Sequence, residues 1–157
     1  MKLSTVQADA MQELGNIGAA HAATTLSQMV GSTIEMNVPG IKAVDIAELG
    51  KYMGEESAAM VAFELQGEIQ HGGFVIFYIT RESAIRLTNT MLGLTDMNRP
   101  MNEMDESALI EVGNIMVSAF LDATAELLGF VMLPSPPAMT IDMVHAAMSS
   151  LIAGMGE

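Results

Sequence analysis

The chain has 157 residues, about the length over which one hydrophobic core serves one domain. Half of its residues are hydrophobic, and six Lys plus Arg stand against 19 Asp plus Glu, a formal charge of −13. Such a chain has ample material for a core and is no disordered polyelectrolyte, and its charge repels phosphate backbones, which argues against nucleic-acid binding.

There is no cysteine, so disulfides, thiolate nucleophiles and cysteine-based zinc sites are all excluded. Residues 1–9 lack the apolar stretch of a secretion signal, and no window approaches about 18 uninterrupted apolar residues. A cytoplasmic protein with no membrane contact is expected. The 16 methionines stand in for much of the aromatic content, which is only 4%, and read mainly as adaptable core filler.

Ser4-x-x-Gln7 has the form of a capping box, and Met11, Leu14, Ile17, Ala22, Leu26 and Met29 recur at helical spacing. A helix is predicted from Ser4 to Val30, stopped by Gly31. Thr33 to Val38 alternates as a half-buried strand ending at Pro39, and residues 44–53 read as a short helix. Ser57 to Leu65 and Ile69 to Ile79 form two strands around Gln66-Gly67-Glu68, with a bulge at Gly72-Gly73. Thr80 caps a helix reaching Leu92, and Leu94 to Pro100 is a loop. A second long helix runs from about Asn102 to Leu128 and stops at Gly129. A short strand Phe130 to Leu133, a proline corner at 134–137 and a helix from Ile141 to Ala153 complete the chain.

The second half repeats the first. A shift of 98 positions lays Ala10, Glu13, Gly15, Asn16, Ile17, Gly31 and Pro39 on Ala108, Glu111, Gly113, Asn114, Ile115, Gly129 and Pro137. The repeats span about 4–93 and 102–157 of a single domain over 1–157. The fold class expected is α/β (α+β): a pseudo-two-fold repeat with two long exposed helices on a shared, mostly antiparallel sheet. Two strands and a final helix of the first repeat have no counterpart in the second. Either a truncated product or a strand-swapped homo-oligomer is expected on that ground.

Glu13 and Asn16 lie three residues apart, so on a helix they share one face, and Glu111 and Asn114 repeat the arrangement. Asparagine and the intervening Gly15 and Gly113 are poor helix formers, so helix stability does not account for the pattern. Close packing of the two long helices would account for the glycines but not for the carboxamides. His21, His71 and His145 fall on separate predicted elements and suggest no metal site.

Asp9-x3-Glu13-x2-Asn16-x22-Pro39 and Ser107-x3-Glu111-x2-Asn114-x22-Pro137 resemble the doubled signature of the CheC/CheX/FliY family of chemotaxis phosphatases, and within it the CheC type. The resemblance implies hydrolysis of the aspartyl phosphate of phosphorylated CheY. Glu13, Asn16, Glu111 and Asn114 would be the catalytic residues, with Asp9, Pro39, Ser107 and Pro137 supporting the motif. Asparagine would orient the attacking water and glutamate would pair with the regulator's lysine. No cofactor would be bound by this chain, since Mg²⁺ is carried by the partner regulator. A second partner, CheD, would contact the last helix at Asp142, beside a stripe of Met143, Val144, Ala147 and Met148. The alternative is a binding module without catalysis, regulating CheD or allied to the flagellar-switch relatives.

Overall fold

A computed structural model describes residues 2–69 and 72–155, so His71 lies outside the described residues. Helix α1 is Thr5–Val30, and its start is the predicted one. Ser4 accepts from the Gln7 amide while the Gln7 side chain accepts from the Ser4 amide. Its end is Gly31 at φ 72°, a left-handed conformation that a side chain would strain, and Gly129 closes α3 (Glu103–Leu128) at the same φ. Helix α2 is Arg81–Leu92, capped by Thr80.

Strands β1 (Ser57–Gly67) and β2 (Phe74–Thr80) form an antiparallel hairpin. On the other side of β1 lie β3 (Met132–Pro134), pairing at residues 65–67, and β4 (Ala138–Met143), pairing at residues 57–62. Residues 58–63 of β1 are consecutively buried, because this central strand is covered on both faces. Val61 and Phe63 pack on Val117 and Leu121 of α3, whereas Ala58 and Met60 pack on Met148 of α4 (Val144–Met155) and on Leu49 in a 3-10 turn at Ile46–Lys51. Helix α3 packs on the first of these faces, and the other long helix, α1, packs against α3.

Three expectations need correction. Residues 34, 36 and 38 are half-buried and 33, 35 and 37 exposed, as alternation requires, yet no strand forms there. The backbone donors go to α1 side chains instead: the Ile34 amide donates to Ser27 Oγ at 2.8 Å and the Val38 amide to Asn16 Oδ1 at 2.9 Å. The last helix begins at Val144, not Ile141, because residues 138–143 are drawn into the sheet as β4 by β1. Gly72, at φ 64°, and Gly73 precede β2 and are no bulge inside it; the Leu65 amide donates to the Gly73 carbonyl at the hairpin end.

Helix α3 is also long and apolar enough to cross a membrane, with a mean hydropathy of 1.4 over its most apolar 18 residues. Its apolar side chains have another use here, since Leu109, Val112, Val117 and Leu121 are buried in the core.

Candidate functional site

The paired residues stand on the two longest helices. In α1, Glu13 is exposed and Asn16 half-buried, one turn apart; in α3, Glu111 and Asn114 are both exposed at the same spacing. Neither glutamate belongs to an ion pair among the described residues, so both carboxylates are available to an external cation. Asp9 and Ser107 lie exposed on the same helices, seven residues before their asparagines, and Pro39 and Pro137 are exposed in the segments after them.

The glycines inside the motifs have a definite job. A Cβ on Gly113 would lie 3.1–3.3 Å from the side chain of Val61, and one on Gly15 would lie 3.1 Å from that of Val38. They admit strand β1 and the segment at Val38 to the helix surfaces, so packing between the two long helices is not what these two glycines serve. The α1–α3 approach is made by Gly18, where a Cβ would stand 2.9 Å from the Phe120 Cα.

The two copies differ around their carboxamides. Asn16 accepts from the Val38 amide, and the Val38 carbonyl accepts from Gln12 Nε2 at 3.1 Å, so two side chains of α1 clamp one peptide unit. Asn114 makes no hydrogen bond among the described residues and borders an open groove of about 470 Å³ between the helices, lined also by His21, Thr24, Thr25, Ser118 and Asp122. Gln12 and Val38 were not singled out by the sequence. The readable signal was a difference between the copies, since the 98-residue shift sets Gln12 against Ile110 and Val38 against Pro136.

Asp142 stands on β4 and not on a helix, which corrects its expected place. It is exposed, accepts from the Met143 amide at 2.7 Å, and lines a groove of about 520 Å³ with Met60, Phe74, Met139 and Ser150. Of the expected methionine stripe, Met148 is buried in the core and Met143 is exposed.

A family model described as CheC-like matches residues 6–42 and 104–141, the two stretches that carry the repeated signature. The chain is also 32% identical over 148 residues to the CheY-P phosphatase CheC of Bacillus subtilis, spanning 91% of this chain and 70% of the relative. The chain belongs to the CheC-like family. A CheC1 protein of Halobacterium salinarum is 34% identical over 120 residues, 76% of this chain and 60% of its own. Among solved structures, Thermotoga maritima FliY superposes with a TM-score of 0.79 at 25% identity, covering 90% of this chain and 71% of that one. The FliM middle domain of H. pylori, at 0.69 and 13% identity over 89% and 74% of the two chains, shares the fold. For the CheC-like family the mixed helix and antiparallel-sheet architecture expected from the repeat is therefore the observed one.

Proposed function

We propose that this CheC-like chain hydrolyses the aspartyl phosphate of the response regulator CheY. The observation that carries the reading is the Glu-x-x-Asn pair, present twice at equal spacing on the two long helices, with both glutamates and Asn114 exposed and Asn16 half-buried. The CheY-P phosphatase CheC of B. subtilis, 32% identical over most of this chain, supports the same reading.

An acyl phosphate is activated already, and the regulator supplies Mg²⁺ and lysine against the phosphoryl oxygens, so what a partner adds is a positioned nucleophile. Water attacks phosphorus, the bond to the aspartyl oxygen breaks, the carboxylate leaves with the bond electrons, and the water's proton ends on inorganic phosphate. The asparagine carboxamide is the group for holding that water, because its oxygen accepts and its NH₂ donates. The glutamate would pair with the regulator's lysine, a charge-assisted hydrogen bond typically worth about 1.5–3 kcal/mol. CheD is proposed as a second partner at Asp142, supported by the exposed carboxylate at the rim of the groove on β4.

The test is the decay of phosphorylated CheY with Mg²⁺, with and without the chain. Acceleration by the wild type that vanishes in Asn16→Ala/Asn114→Ala, with regulator binding changed less than about threefold, is the expected result, since the carboxamides act mainly in the transition state. Wild-type hydrolysis that survives the double substitution removes the asparagines from the chemistry. A chain that binds CheY yet never hastens decay is the binding module instead.

A further inference from the structure

We propose that the Val38 peptide is a latch that holds Asn16 out of the reaction, leaving Asn114 as the working carboxamide; this rests on the phosphatase reading above. An asparagine that orients water needs its oxygen free to accept and its side chain free to reach outward. Asn16 meets both only in part, since one of the two lone pairs of its Oδ1 is taken and the side chain is tied to a neighbouring segment. Its Oδ1 already accepts from the Val38 amide at 2.9 Å and the side chain is half-buried against that segment. Gln12 donates to the carbonyl of the same residue at 3.1 Å, and the Val38 side chain rests on Gly15. The segment is tied at its other end too, where the Ile34 amide donates to Ser27 Oγ.

The second copy cannot build this latch. Where the first copy has Val38, the second has Pro136, which carries no amide hydrogen to donate, and where the first has Gln12, the second has Ile110, which has no donor. Both halves of the clamp are thus missing by covalent chemistry, and Asn114 stands exposed with no hydrogen-bond partner among the described residues. Two independent substitutions in the same sense distinguish the copies, although their Glu and Asn are identical. The residues at 12 and 38 are positioning residues: they touch no substrate and act only through Asn16.

The prediction is a gain of function. Val38→Pro deletes the donor and reproduces the Pro-Pro step of the second copy. In an Asn114→Ala background it is expected to raise CheY-phosphate hydrolysis roughly tenfold, the population shift that follows loss of one hydrogen bond. Asn114→Ala alone is expected to lose several-fold more of the wild-type rate than Asn16→Ala alone. Gln12→Ile, which alters no backbone, is the second variant and should give a smaller gain in the same background. Amide exchange at Val38, read by NMR on the full chain without any regulator, should be slow in the wild type and about tenfold faster in Asn16→Ala. Equal losses in the two single asparagine variants, or no gain from either Val38→Pro or Gln12→Ile in chains folded by circular dichroism, overturn the latch while leaving the phosphatase standing. Fast Val38 exchange in the wild type overturns it without reference to catalysis. No acceleration by the wild type at all overturns the phosphatase reading, and the restraint on hydrolysis falls with it.

Discussion

Asp105 is a fully buried carboxylate, and what keeps it there is a completed set of partners. Arg99 grips it through two nitrogens at 2.5 and 2.7 Å, the Asn102 amide donates to it at 2.8 Å, and Arg99 is itself held by the side chains of Asn89 and Thr88. The Arg99 hydrogen bond, ahead of the opposing effect of burial, holds the Asp105 carboxyl well below the usual carboxylate range. A carboxyl depressed in the folded state stabilises the fold at pH above its unfolded value of about 3.9, and that contribution is lost as pH falls below it. Asp105→Asn leaves the guanidinium with no buried counter-charge. It should lower the Tm at pH 7 by on the order of 10 °C, and thermal melts from about pH 5 to 2 should show a shallower decline than the wild type. Glu111, by contrast, is exposed and belongs to no ion pair among the described residues. Glu111→Ala should leave the Tm within about 2 °C and weaken regulator binding roughly tenfold in a titration, the cost of one charge-assisted hydrogen bond.

At the scale of elements, the long helices are fixed by their own punctuation: capping box, periodic apolar positions and a left-handed glycine are all local, so α1, α2 and α3 were legible in the sequence. The β1–β2 pairing was legible too, but its turn was misplaced, since Gln66 and Gly67 belong to β1, and β2 begins at Phe74 and not at Ile69. The strand expected at 33–38 was not decided locally. Its alternation is present, but a strand needs a partner edge, and this segment found side-chain acceptors on α1 instead. Residues 138–143 went the other way: Met139, Thr140 and Ile141 are compatible with helix or strand, and the free edge of β1 settled the matter. The crossing of α1 and α3 is equally a matter of contact, since Gly18 touches the backbone at Phe120. Gly18→Ala would push a methyl group onto a main-chain atom, and denaturant titration should register a loss of about 1–3 kcal/mol, more than Gly40→Ala, where nothing lies within 4 Å.

Across the whole molecule, helix and sheet layers are joined where Gly113 of α3 meets the buried side chain of Val61. Gly113→Ala and Val61→Ala should each destabilise, the first by crowding and the second by opening a cavity. Together they should cost less than their sum, with a coupling of about 0.5–3 kcal/mol in a double-mutant cycle. The candidate site shows the same division between local and distant causes. Its four paired residues were readable because the repeat writes them twice, and spacing of three on a helix puts each pair on one face whatever the rest of the fold does. The inequality of the pairs was readable only as sequence differences at 12/110 and 38/136; what those differences do depends on which peptide reaches Asn16, and that peptide lies 22 residues away in the chain. Composition, the boundaries of α1, α2 and α3, the duplication and the Glu-Asn pairs were therefore set by the amino-acid sequence alone, since each depends on covalent identity and near neighbours. The fate of the segments at 33–38 and 138–143, and the freedom of each carboxamide, were decided only by the tertiary structure, because a backbone donor takes whichever acceptor the completed packing brings within reach.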